Sequence, residues 1–211
     1  MEKREVLFTN KDLKKLIIPL IIEQLLTVTV GLADSIMISS VGEAAVSGVS
    51  LVDSIMILLI NMFSALATGG AVVAGQYLGQ KKHVMACKTA DQLILFISAL
   101  AVVIMAGIYA MRGFILHGVF GAIEPAVMHS AEVYLLIVTA SIPFLAVYNG
   151  CAALFRTMGN SKTAMQMSLF MNAINIIGNA ALIYGVGMGV EGAAKVASFS
   201  SRGPSPDYPD I

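Results

Sequence analysis

The sequence predicts an all-α, polytopic membrane helix bundle, and three observations carry that prediction. Hydrophobic residues make up 57% of the 211-residue chain and charged residues only 12%, roughly half the charged share of a soluble domain. Apolar runs of about twenty residues recur along the chain, the length a helix needs to cross a bilayer. Lys and Arg cluster between those runs instead of spreading through them. Five spans follow, over 16–42, 51–77, 92–111, 132–154 and 165–186, with the start of a sixth after them.

Residues 1–15 carry Lys3, Arg4, Lys11, Lys14 and Lys15 and read as a cytoplasmic amphipathic lead-in. The apolar run behind them is too long for a signal-peptide core and has no small-residue cleavage site directly after it, so it is a retained first span. Pro19 stands near its start, where a missing N–H costs least. The span also holds two carboxylates. On a helix, Glu23, Thr27 and Asp34 fall within about 40° of one another, with Asp34 roughly 16 Å beyond Glu23. A carboxylate at membrane depth costs about 2.5–3.5 kcal/mol on insertion scales, so it normally faces protein or a water-filled cavity. Asp34 is therefore the leading functional residue, the alternative being a solvated position at the far interface.

Span two ends in ALATGGAVVAGQYLG, a stretch of small residues that lets helix backbones approach closely. Asn61, Ser64 and Thr68 share one of its faces, suited equally to helix contacts and to a cavity wall. Asp53, near the other end of the span, reads as interfacial. A basic loop over 79–91 carries Lys81, Lys82 and Lys88. Span three is nearly all aliphatic and reads as lipid-facing or packing, and a loop over 112–130 contains Arg112, Glu124 and Pro125. Span four contains Ser141, Pro143, Tyr148 and Asn149, and Pro143 should kink it. A turn at Gly159-Asn160, flanked by Arg156 and Lys162, leads into span five. There Asn172, Asn175 and Asn179 fall within about 60° of one another and form a second polar stripe. The final stretch, 195–211, is polar with three prolines, which rules out a membrane helix there.

Ten Lys and Arg residues lie before span one and in the loops after spans two and four, against Arg112 alone on the other side. By the positive-inside rule the N-terminus is cytoplasmic in a multi-pass protein of the cell membrane. Cys87 and Cys151, 64 residues apart, offer neither metal spacing nor a disulfide framework. His83, His117 and His129 lie in or beside loops, so no catalytic constellation forms and an enzyme is not expected.

The ordered motifs add up to a resemblance. The stretch LIIPLIIEQLLTVTVGLADSIMIS followed by VGEAAVSGVS resembles the first helix and loop of the multidrug and toxic compound extrusion (MATE) family. GQYLGQKK after span two, RTMGNSKTAM after span four and NAINIIGNAALIYGVGMGVEGAA at span five fit the same family in the same order. The resemblance covers about 8–194 and makes 16–194 an N-terminal lobe of a twelve-helix, two-lobed transporter. It implies export of cationic or amphipathic compounds in exchange for H⁺ or Na⁺, with no other cofactor.

The resemblance makes Asp34 the cation-coupling carboxylate, with Asn172, Asn175 and Asn179 supplying neutral oxygens and hydrogen bonds, and no metal beyond a Na⁺ at Asp34. Oxygen donors suit a hard cation. Many relatives carry an aspartate in span five where this chain has Asn179, which leaves H⁺ and Na⁺ both open. Candidate cavity-lining residues are Glu23, Thr27, Asn61, Thr68, Tyr148 and Asn149. The expected partners are membrane lipid, drug-like small molecules and a missing C-terminal lobe, with no nucleic acid. The tail VASFSSRGPSPDYPDI resembles a fragment of subtilisin-like proteases without their nucleophile motif, so 195–211 is expected to be foreign or disordered and the chain to be a truncated, inactive half. The alternatives are a lipid-linked oligosaccharide flippase, which would need intramembrane Lys or Arg, and a non-transporting membrane remnant.

Overall fold

The computed structural model describes residues 10–121, 123–181, 195 and 198. Every regular element among them is helical: α1 (Asn10–Ser39), α2 (Glu43–Gly79), α3 (His83–Phe114) with a π-helical turn at Ile115–Val119, α4 (Pro125–Thr139), α5 (Ile142–Thr157) and α6 (Ser161–Ala180). Leu16–Ser39, Glu43–Gly79 and His83–Val119 are each long and apolar enough to cross a membrane. The pair α4 and α5, bent by 52° at its break, passes the same test as one span. This is an integral membrane helix bundle, and side chains such as Leu25, Ile36 and Leu95, all more than 60% exposed, form the apolar outer surface that lipid would cover.

The helices run past the spans read from hydropathy. α2 begins at Glu43, eight residues before the expected start, and the loop expected over 79–91 shrinks to 80–82 because Lys88 and Asp91 belong to α3. Ala, Met and Lys are good helix formers, so the chain stays helical beyond the apolar window. For the same reason Pro19 lies inside α1 and not in its first turn. The expected kink is present as a full break at Ala140 and Ser141, with Pro143 opening α5. The Gly159-Asn160 turn is also found. Gly159 takes φ +80°, and the Asn160 side chain accepts from the Thr163 N–H to cap α6. α6 occupies the described part of the expected fifth span but, over its described residues, is not among the helices long and apolar enough to cross a membrane; the rest of that span, the start of a sixth helix and the tail lie outside the described residues, apart from the helical Lys195 and Ser198.

Packing divides the bundle unevenly. α2 sits at the centre against α3, α4 and α5, while α1 packs chiefly on α6. Smaller contacts, α1 with α2 and α5 with α6, join the α1–α6 pair to the rest. Phe63, Ile97, Leu135, Ile142 and Val52 are essentially fully buried in the α2-centred core. At Gly48 the α2 and α4 backbones come so close that an added Cβ would lie 2.8 Å from the Val127 carbonyl oxygen and the Ala131 nitrogen. That contact brings Tyr134, one turn further along α4, beside Asp53, about one and a half turns further along α2.

Candidate functional site

The seam between the α1–α6 pair and α2–α4 holds an open cavity of about 150 Å³. Gly31, Asp34, Ser35 and Ile38 of α1, Val46, Val49, Ser50 and Asp53 of α2, Tyr134 of α4 and Asn175 and Asn179 of α6 line it. None of these residues is cationic, so among the described residues the two carboxylates face the space without a basic counter-charge.

Asp34 is half-buried, and the Asn179 amide donates to its Oδ1 at 2.7 Å. Asn175 stands one turn earlier on α6 and reaches the same carboxylate. With its amide nitrogen toward α1 it donates to Asp34 Oδ1 at 2.9 Å and Oδ2 at 3.0 Å. With its oxygen toward α1 it instead accepts from Asn179 Nδ2 at 3.0 Å and confronts the Asp34 oxygens. The first orientation suits a carboxylate anion, which only accepts. The second needs a proton or cation between the facing oxygens.

The asparagine stripe is thus divided. Asn175 and Asn179 meet Asp34, whereas Asn172, three residues before Asn175, donates to Ser168 Oγ at 3.4 Å within α6. Glu23 does not join the Asp34 cavity. It is buried in an ion pair with Arg156 of α5, which ties the middle of α1 to α5. Thr27 donates to the Glu23 carbonyl at 3.0 Å, and Thr68 to the Ser64 carbonyl at 2.8 Å. Both side chains, like Asn61, are exposed on the outside of this bundle. Asn149 donates to the Leu145 carbonyl at 2.9 Å, and Tyr148 is partly buried on α5. None of these six lines the Asp34 cavity.

Two participants escaped the sequence reading. Asp53, expected at the interface, lines the cavity and accepts a hydrogen bond from Tyr134 Oη at 3.1 Å. The correction follows from α2 starting earlier, which moves Asp53 from the end of a span into the body of a helix. An acid within an apolar run was the available signal. Tyr134, 7% exposed, gave no signal of its own, because its partner lies 81 residues earlier in the chain.

A family model described as MatE matches residues 19–181. An uncharacterized transporter, YisQ, of Bacillus subtilis is 31% identical over 184 residues, covering 87% of this chain and 40% of YisQ. A probable multidrug resistance protein, NorM, of Thermotoga maritima is 26% identical over 206 residues, covering 96% of this chain and 44% of NorM. The fold is similar to that of a MOP superfamily transporter from Pyrococcus furiosus, with a TM-score of 0.83 at 23% identity over 90% of this chain and 42% of that one. The chain thus spans less than half the length of the curated relatives it matches.

Proposed function

The chain belongs to the MatE family, and from that premise we propose that it serves as one lobe of a secondary multidrug transporter, with Asp34 as its coupling carboxylate. The exchange is outward movement of cationic or amphipathic compounds against inward H⁺ or Na⁺. The observation that carries this reading is the Asn179–Asp34 hydrogen bond in a cavity whose α1, α2 and α4 walls belong to segments apolar enough to cross a membrane. A carboxylate kept at that depth is costly and marks an ion pathway by default.

The chemistry is a charge-dependent clasp between α1 and α6. The ionised Asp34 is held by two amide donors. A proton or Na⁺ arriving there neutralises the shared acceptor and weakens the charge-assisted part of both bonds. Because α1 packs chiefly on α6, a change in that clasp alters how α1 sits against the rest of the lobe. Alternating access then consists of this lobe rocking against a second one around a midplane site. Lipid and drug-like molecules are the other partners, in the cell membrane with the N-terminus in the cytoplasm, an orientation supported by the basic loops. A flippase for pyrophosphate-linked lipids is less well supported, since Arg156 of α5 is already neutralised by Glu23.

Ethidium accumulation in cells tests the reading. Cells that co-express this chain with the remaining lobe of a relative should exclude the dye while an H⁺ or Na⁺ gradient lasts. Asp34→Asn should remove the gradient-dependent component; undiminished efflux would leave Asp34 a mere structural acid. Collapsing each gradient in turn identifies the coupling ion. Gradient-driven efflux by residues 1–211 alone would remove the requirement for a second lobe.

A further inference from the structure

We propose that Asp53, oriented by Tyr134, is a second cation ligand of the Asp34 cavity, so that Na⁺ binds between carboxylates contributed by α1 and α2. The proposal rests on the coupling role of Asp34 and adds to it a residue from a different helix, held by a fourth.

Both carboxylates line the same cavity. Among the described residues no Lys, Arg or His in the wall offsets them, and a bound cation would complete the charge balance. An independent observation points to a ligand. Asn179 is 3% exposed, it lines the cavity, and its Oδ1 has no hydrogen-bond partner among the described residues. Its nitrogen is committed to Asp34, so the free oxygen is a neutral donor left over beside the carboxylate. Buried polar atoms are ordinarily satisfied, and one that is not calls for an unfilled partner.

The donor set is entirely oxygen. It comprises carboxylates from Asp34 and Asp53, the Asn179 amide oxygen, and the hydroxyls of Ser35 and Ser50 in the wall. Such a set suits a hard cation and not a soft or borderline metal. Tyr134 is a positioning residue in this arrangement. Its hydroxyl donates to Asp53 Oδ1, which holds the carboxylate in place as second-shell partners do at metal sites. If the Tyr134–Asp53 bond served only to tie α2 to α4, a neutral acceptor would serve without the cost of an acid at this depth.

The test is Na⁺ binding by the full purified chain in lipid nanodiscs, read as the NaCl-dependent shift in thermal unfolding against choline chloride at equal ionic strength. Wild type should show a saturable Na⁺ response. Asp53→Asn should weaken it by about 100-fold and Tyr134→Phe by about tenfold, the range over which ligand-supporting residues act. Asp53→Glu, which keeps the charge, should retain a response. The Tyr134→Phe effect should vanish in an Asp53→Asn background, because a positioning residue has nothing left to position. A monodisperse Asp53→Asn chain with wild-type Na⁺ affinity, alongside a weakened Asp34→Asn chain, overturns the second ligand and leaves the coupling reading standing. Unchanged affinity in both variants overturns both. No Na⁺ response in wild type overturns the second ligand and leaves Asp34 as a proton carrier.

Discussion

Asn179 of α6 donates to Asp34 of α1 across 145 residues of sequence at 2.7 Å, and that bond joins two helices that pack chiefly on each other. Replacing Asn179 with Ala removes the donor and leaves Asp34 with Asn175 alone. A hydrogen bond to a charged group is worth about 1.5–3 kcal/mol, so Asn179→Ala should lower stability in detergent by about 2 kcal/mol. The same substitution in Asp34→Asn should cost clearly less, since the acceptor is then neutral. Equal losses in the two backgrounds, measured by thermal unfolding, would show that Asn179 acts through packing alone.

The middle of α1 is held differently. Glu23 is 9% exposed and pairs with Arg156 across 133 residues, while Glu23 Oε2 and Arg156 Nε are buried without partners. Removing one member of a buried pair strands the other charge. Glu23→Gln or Arg156→Met should each destabilise by about 2 kcal/mol, below the range for fully buried pairs because the Arg156 side chain remains 33% exposed. The double variant should recover much of the loss. Additive losses in a double-mutant cycle would show that the two side chains do not depend on each other.

The α2–α4 crossing gives a prediction with an internal control. A Cβ at Gly48 would meet the α4 backbone at 2.8 Å, whereas one at Gly69 on the same helix meets nothing within 4 Å. Backbone cannot rotate away as a side-chain tip can, so Gly48→Ala should cost about 1–3 kcal/mol through overpacking. Gly69→Ala should be neutral or stabilising by up to about 1 kcal/mol through helix propensity. Comparable unfolding temperatures for the two variants would place the tight approach elsewhere.

What the residues disclosed in advance, and what they did not, follows from the range of the interactions. The helical class, the break before Pro143, the Gly159-Asn160 turn and the face shared by Asn175 and Asn179 are local properties, readable from composition and a 3.6-residue period. Helix ends were misjudged, as at Lys88, because hydropathy reports the apolar window and not where the backbone stops coiling. Asp53 was misplaced for that same reason. Glu23 was aligned with Asp34 by rotation about α1, yet its partner, Arg156, arrives from α5, and periodicity within one helix carries no information about that neighbour. Thr27, Asn61 and Thr68 were polar residues in apolar runs whose hydroxyl or amide groups face away from the cavity.

The α4–α5 break supplies the last prediction. Pro143 has no N–H to offer the Thr139 carbonyl four residues earlier, and Ser141 Oγ donates to the Val138 carbonyl at 2.7 Å, so two local features favour the 52° bend. Pro143→Ala restores the missing donor. Two helices of 15 and 16 residues that straighten fully would lengthen end to end by roughly 4 Å from their helical rise. Spin labels at Ala126 and Met158, both exposed, in a chain with Cys87 and Cys151 replaced, should report most of that increase by pulsed dipolar spectroscopy. Straightening would also carry Tyr134 relative to Asp53, so a weaker Na⁺ response in the same variant is expected. An unchanged distance would assign the bend to the packing of Ile142 and Ala146, both fully buried, and would make the break a property of the core and not of the proline.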